Sequence, residues 1–536
     1  MPDKPAARHG ARQASVGGET GMSGFGTLLL SLDIGTTHCK AALFDERGAL
    51  LRMAKRETVR IRDGAFGECY DPEALWAAAA GLIREVAGAA AGQEPLPIAA
   101  IGIDGMAETG LLVGADGAAR TPLLPWFSRI ADAQAARIEA EGDAFERFAA
   151  TGLRSSYKYG LAKLLWLRER APELLSGARW LSAADYVAYR LTGAAGTDYT
   201  LAARTFAFRI DRKMWDAPWI RHFGLDPGLF PEARPSGASL AGARADAARA
   251  LGLPAGVPVA VAGHDHVCAA LAAGATAPGR IMDSMGTAET LVGMLPERPL
   301  TRADLASGLS FGLHAVPGAL FWMGGISASG GSVEWLRDAL GGGARLEYGD
   351  VLRLLADAPA EPTGILYYPY LAGAGAPQPD SAARAAFIGL AEGHGRAELL
   401  KAVLEGTANE MESIRRAAQT VAGAPIAAAT VVGGGTRNPY WLQIKADVSG
   451  CTLHVAETEE AALLGAALLA GIAAGVYRDA AEAQAAASVG RDMRAVGPDP
   501  DRHEAYRRLY EEGYMALQQP LRLLYRSMAF RTWTAL

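Results

Sequence analysis

The sequence predicts an α/β chain built from two repeated domains, on three observations. The chain has 536 residues, more than one compact core accommodates. Short apolar strands alternate with longer helical segments. A strand, Gly-Thr turn, strand pattern occurs twice: LLLSLDIGTTHCKAALF from Leu28, and GRIMDSMGTAETLVGML from Gly279, about 250 residues later. That spacing is expected of duplicated domains.

Taken in order, residues 1–26 are rich in Gly, Ala, Arg and Ser and lack an apolar core. They read as a disordered tail, not a signal peptide, and Met22 is a second candidate start. Residues 28–56 read as strand, Gly-Thr turn, strand, turn at Asp45–Gly48, strand. DPEALWAAAAGLIREVAGAA (71–90) is a helix, with Asp71 as N-cap and Pro72 at its first position. PIAAIGID (97–104) is a buried strand. KLLWLRERAPELL and SAADYVAYRLTG are further helices, the second closed by Gly193. VPVAVAGHD is another buried strand, with His264, Asp265 and His266 at its mouth, followed by a small-residue helix.

The boundary falls near 272–280, where APGR supplies turn residues. Beyond it come the second hairpin, a helix from about Ser329, a long helix at 397–421, and ATVVGGGTRNPYWLQIKADVSG as strand, glycine turn, helix. AALLGAALLAGIAAG (461–475) is too short to cross a bilayer of ~30 Å and reads as a buried helix. The predicted domains are therefore 27–274 and 279–476, with a helical extension over 477–536.

Net charge is −6 with both signs mixed, so no basic stripe suggests nucleic acid and no polybasic run suggests a membrane surface. The four cysteines lie far apart without a C-x-x-C, which fits free thiols in a reducing cytoplasm.

Three turns offer nucleotide-binding chemistry, two of them toward phosphate. In Asp33–Thr37 (DIGTT), successive N–H groups and two hydroxyls can face a phosphate, and Gly35 permits close backbone approach. Asp33 at the strand end suits a hydrated Mg²⁺, and Lys40 joins the same side if the register allows. Ser284–Ala288 (SMGTA) offers the same chemistry from the second domain, so the pair can clamp a polyphosphate. Gly433–Asn438 (GGGTRN) matches neither G-x-G-x-x-G nor a Walker loop; its flat surface suits a nucleobase. A carboxylate at Asp265 can be a general base, or merely an N-cap for the helix behind it.

These segments, in this order, resemble the FGGY carbohydrate kinases. AAFIGL (385–390) followed by ELLKAVLEG (398–406) is similar to that family's second signature, spacing included. The resemblance covers roughly 27–476. It implies two actin-like (ribonuclease H-like) domains around a cleft, MgATP as phosphoryl donor, and a sugar or polyol as acceptor. By resemblance, Asp265 is the base. Thr36, Thr37, Lys40 and Thr287 fall on the phosphate loops, and Gly330, Gly434 and Asn438 on the nucleotide side. Asp104, Glu108, Trp126, Lys158, Asp265 and His266 fall on the acceptor side. Asp33 holds Mg²⁺ through water. Glu108 matches a substrate-binding acid of glycerol kinases, but Ala107 stands where they carry arginine and His266 where they carry glutamine. That argues for a ketose, polyol or related sugar over glycerol. Dimerisation is common among relatives, though no segment here proves it.

Two rivals stand beside this reading. An actin- or Hsp70-like ATPase, or a catalytically silent sugar-responsive regulator, would keep the fold. A metal-dependent hydrolase would use His264-x-His266, but no other histidine forms a second paired motif, which disfavours it.

Overall fold

The computed structural model describes residues 26–88, 95–342, 344–456, 460–488 and 493–527. The tail read as disordered lies outside these except for Gly26. The first sheet contains β1 (Leu28–Ile34), β2 (His38–Asp45), β3 (Leu50–Glu57), β4 (Ile98–Gly105), β5 (Ser239–Gly242) and β6 (Pro258–His264). Their spatial order is β5-β6-β4-β1-β2-β3. β1, β4 and β6 run parallel, and β2, β3 and β5 are antiparallel to their neighbours.

The second sheet contains β7 (Arg280–Met285), β8 (Glu289–Pro296), β9 (Ser310–Leu313), β10 (Ala319–Ile326), β11 (Ala428–Val432), β12 (Thr452–Val455) and β13 (Arg494–Val496). Its order is β9-β10-β8-β7-β11-β12-β13. Apart from β9, each strand has a counterpart of the same neighbour and the same direction in the first sheet. The repeated Gly-Thr hairpin is thus the visible part of a whole duplicated topology. This is the two-domain, actin-like architecture that the sequence pattern and resemblance implied.

Local signals decide the helices that frame the site. α1 (Pro72–Ala87) starts where Asp71 accepts the Ala74 N–H and ends at left-handed Gly88. α2 (Gly160–Arg170) stops before Pro172, and residues 172–175 form a separate 3₁₀ turn. The single helix expected over KLLWLRERAPELL is therefore broken, because proline lacks the N–H that would continue it. α3 (Ala183–Thr192) has a Ser182–Asp185 capping box and closes at Gly193. α4 (Tyr199–Ala203) is one turn long, and α5 (Asp265–Ala272) follows β6 directly. α6 (Gly330–Leu340), α7 (Arg396–Ala422), α8 (Pro439–Ser449) and α9 (Ala461–Ala473) complete the frame.

The expected helical extension after 476 needs one correction. Arg494–Val496 is not helical but pairs antiparallel with β12 as the edge of the second sheet. Helices resume at Pro500. An edge strand of three residues with no long apolar run carries too little periodic signal to be read.

α9 belongs to the second half of the chain yet packs on the first sheet. The carbonyl of Ala466 sits where a side chain at Gly102 would be, so only glycine allows this approach. Leu463, Leu464 and Leu468 share one apolar cluster with Leu29 and Phe44 of the first sheet, Val267 and Leu271 of α5, and Met282 and Val292 of the second sheet. Among the described residues, no helix is long and apolar enough to cross a membrane. Leu464 is 1% exposed, so Leu464→Ala should lower stability by about 2–5 kcal/mol, measured by denaturant unfolding.

Candidate active site

Three carboxylates meet because three parallel strands end together. Asp33 of β1 lies opposite Asp104 of β4, and Gly263 of β6 lies opposite Asp104 on the other side. Asp265 is the first residue of α5. Ligands of open α/β sheets bind at such carboxyl ends. Burial, then the charge of Asp265, pushes Asp33 up to about 7, against the pull of Lys40. Burial, then the charges of Asp33 and Asp265, raises Asp104 well above the carboxylate range. Among the described residues, no N–H donor reaches Asp33 Oδ1 or either oxygen of Asp104. A proton shared between the two carboxyls satisfies them, and so does a hard divalent cation, whose preferred ligands are oxygens. The residues present therefore fit a metal there.

Asp265 is held from one side only. Its Oδ1 accepts the His266 backbone N–H at 2.6 Å and lies 3.2 Å from His264 Nε2. His264 is 4% exposed. Burial holds its imidazole low, at about 4, despite the opposing charge of Asp265. The ring is thereby kept neutral, and its Nδ1 is buried and without a partner among the described residues. Among the described residues, the second carboxylate oxygen of Asp265 accepts no hydrogen bond, and the side chain is 26% exposed. The three residues' ligand atoms lie within 4.8 Å of one another. That spacing is one at which three such side chains could contact a metal ion.

The side expected to face the acceptor is organised around Glu108. Arg204 donates to its Oε1 from Nε at 2.9 Å and Nη2 at 2.5 Å. Burial alone would raise Glu108, but Arg204, with His264 and Lys158, reverses this and holds it at about 2. Lys163 donates its Nζ to the backbone oxygens of Glu108 at 2.7 Å and Leu124 at 3.1 Å, fixing the segment that carries Glu108. The Lys158 ammonium sits 5.4 Å over the Trp126 ring. Trp126 Nε1 donates to Thr36 Oγ1 at 2.9 Å. Thr36, expected at the phosphates, thus has its hydroxyl engaged by Trp126, while Thr37 is exposed. Lys40, also expected at the phosphates, has its ammonium 2.6 Å from Glu460. His266 is half-buried beside His264, the rings edge to face at 5.4 Å.

In the second domain, the Gly330 N–H donates to Gly286 O at 3.1 Å and the Gly331 N–H to Thr287 O at 2.9 Å. The start of α6 is therefore stitched to the second Gly-Thr turn, leaving Thr287 exposed. Behind the turn, Glu289 accepts from Ser329 Oγ at 2.6 Å and from Lys445 Nζ, which also lies 3.2 Å from Asp283. Lys445, Asp283 and Glu289 are fully buried. Burial, then the charge of Glu289, pushes Asp283 up to about 7. Lys445 belongs to α8, so this network ties the second turn to the helix that follows the third. Gly434 is exposed on that third turn. Asn438, expected on the nucleotide side, is buried and caps α8, its Oδ1 accepting from Tyr440 and Trp441.

Residues 28–272 match the model of the FGGY family of carbohydrate kinases, N-terminal domain, and residues 281–474 match the C-terminal domain. The chain belongs to the FGGY family of carbohydrate kinases. It is accordingly a phosphotransferase with an alcohol group as acceptor. This FGGY kinase is 32% identical over 475 residues to the glycerol kinase of Gloeobacter violaceus, covering 86% of this chain and 91% of that protein. It is 29% identical over 355 residues to the xylulose kinase of Bacillus subtilis, covering 66% and 69%. The crystal structure of xylulose kinase from Rhodospirillum rubrum superposes with a TM-score of 0.82 at 27% identity, covering 93% of this chain and 100% of that one.

Sequence reasoning missed Arg204, Lys163 and the Lys445 network. Position 107 offers no cation to Glu108, so an acid without a nearby partner was the one available hint. The guanidinium that answers it comes from 96 residues away.

The Glu108–Arg204 pair sets an acid-side limit on stability. Glu108 titrates at about 2 in the fold against an ordinary 4.5. Its contribution is full above the ordinary value and is lost as pH falls toward 2. Arg204→Met should remove that acid-side loss and lower stability at pH 7 by about 3–5 kcal/mol, because an unpaired charge stays buried. Urea unfolding of both proteins between pH 3 and 7 measures it.

Proposed function

We propose that this kinase transfers the γ-phosphoryl group of ATP to a hydroxyl of a sugar, ketose or polyol, with Asp265 as general base. The observation that carries the reading is the one-sided hold on Asp265. His266 N–H and His264 Nε2 both engage Oδ1, which orients the other oxygen toward an incoming hydroxyl. That oxygen accepts the hydroxyl proton as the alkoxide oxygen forms its bond to phosphorus and the bond to the β-phosphate bridge breaks. Glu108, fixed by Arg204, accepts hydrogen bonds from acceptor hydroxyls, and Trp126 with Lys158 forms the adjoining wall. Exposed Thr37 and Thr287, one on each Gly-Thr turn, donate to the phosphates. Asp33 and Asp104 would hold Mg²⁺. When bound, the ion neutralises phosphate charge.

Position 107 carries no charge and His266 follows Asp265, which supports a ketose or polyol larger than glycerol as acceptor. All four cysteines are free and buried, which supports a reducing, cytoplasmic setting.

Asp265→Asn should lower kcat by about 10²–10⁴-fold while nucleotide affinity by calorimetry stays at the wild-type value. A coupled ADP assay over pentuloses, hexuloses, polyols and sugar acids reads the acceptor. Sugar-independent hydrolysis that persists in Asp265→Asn would instead support the ATPase reading. Efficient turnover of glycerol would overturn the acceptor assignment.

A further inference from the structure

We infer that Asp198 and Thr200 are positioning residues that set both the catalytic carboxylate and the acceptor-reading guanidinium from one helical turn. The inference rests on the assignment of Asp265 as base. α4 is short, and Asp198 caps it by accepting the N–H groups of Thr200 and Leu201, each at 2.9 Å. The same carboxylate accepts Thr200 Oγ1 at 2.8 Å and Ser236 Oγ at 2.5 Å. Asp198 and Thr200 are 1% and 0% exposed.

Thr200 then reaches across to β6. Its hydroxyl donates to Asp198 and accepts the His264 N–H at 2.8 Å. This is the backbone immediately before Asp265. The strand is irregular there: its register with β4 shifts between Val261 and Gly263. Gly263 has φ +126, and a side chain on it would collide with Thr200 Oγ1 and approach Asp198 Oδ2 to 2.7 Å. The hydroxyl and carboxylate thus occupy the space that a regular strand residue would fill. The Thr200 hydroxyl supplies the partner for the His264 N–H. A hydroxyl that donates to a carboxylate is polarised into a better acceptor, so the chain Asp198–Thr200–His264 is cooperative.

The other end of the same turn carries Arg204, whose fork holds Glu108. One buried carboxylate therefore anchors a short helix that fixes the strand end bearing the base and presents the residue that fixes the acceptor reader. A shift of this helix moves both contacts together. Near-attack geometry is sensitive to such shifts, with about 10²-fold in rate at stake for 1 Å.

The decisive comparison is Thr200→Val, which keeps shape and removes the hydroxyl, against Thr200→Ser, which keeps it. Thr200→Val should lower kcat by about 10–100-fold with KM for ATP unchanged and the thermal midpoint lowered by the unsatisfied His264 N–H, and Thr200→Ser should restore kcat. Thr200→Val combined with Asp265→Asn should lose no more than Asp265→Asn alone, since a misplaced base that is already disabled costs nothing further. Wild-type kcat in Thr200→Val, failure of serine to rescue, or fully multiplicative losses in the double variant would overturn the inference while leaving Asp265 as base. Wild-type turnover in Asp265→Asn would instead remove the base assignment on which it rests. If Thr200→Val does not fold, Ser236→Ala removes another donor to Asp198. A fall in kcat together with a rise in acceptor KM then supports the inference, and a fall in thermal midpoint alone overturns it.

Discussion

The central constraint is the crowding of carboxylates at one end of one sheet. Three parallel strands end side by side, and each delivers an acid there: Asp33, Asp104 and Asp265. Burial and mutual repulsion raise Asp33 and Asp104 far above ordinary carboxylic acids. Such an arrangement stores electrostatic stress that a proton, a cation or a nearby ammonium relieves. Lys40, cross-strand to Asp33, provides part of that relief and is itself held by Glu460. A site crowded in this way is suited to a cationic ligand.

Glu108 solves the opposite problem. Glu108 is as buried as the other acids, yet it is kept ionised because Arg204 meets it with two hydrogen bonds. Two buried acid groups on one domain thus have opposed protonation tendencies, set by their partners. That separation is what lets neighbouring carboxylates take different roles.

The duplicated topology gives each half a Gly-Thr turn, and α9 locks the halves into one body. Because α9 departs from the second sheet and packs against Gly102, α5 and β1, the apolar cluster it completes has walls from both halves. The second turn is braced differently from the first. Its support is the buried Asp283–Lys445–Glu289 network and the amides of α6, whereas the first turn leans on Trp126, Tyr70 and Thr58. The shared hairpin is therefore fitted to two different surroundings.

The sequence by itself determined the strands that end at Asp33, Asp104 and Asp265, the two Gly-Thr hairpins, the caps at Asp71 and Gly193, and the order of the family motifs. Those features are local: periodicity, glycine, proline and capping residues act within a few positions. The chain segment thought to be wholly helical after 476 hid the short strand Arg494–Val496, because three residues on a sheet edge leave little pattern. Only the tertiary structure decided which side chains meet. Arg204 reaches Glu108, Glu460 takes Lys40, Thr36 turns to Trp126, Asn438 caps α8, and Thr200 fills the bulge before His264. Each contact joins residues whose separation is set by how helices pack on the sheets or by how a turn closes. The electrostatic state of a buried group depends on such neighbours, and their identity exists only once the chain has folded.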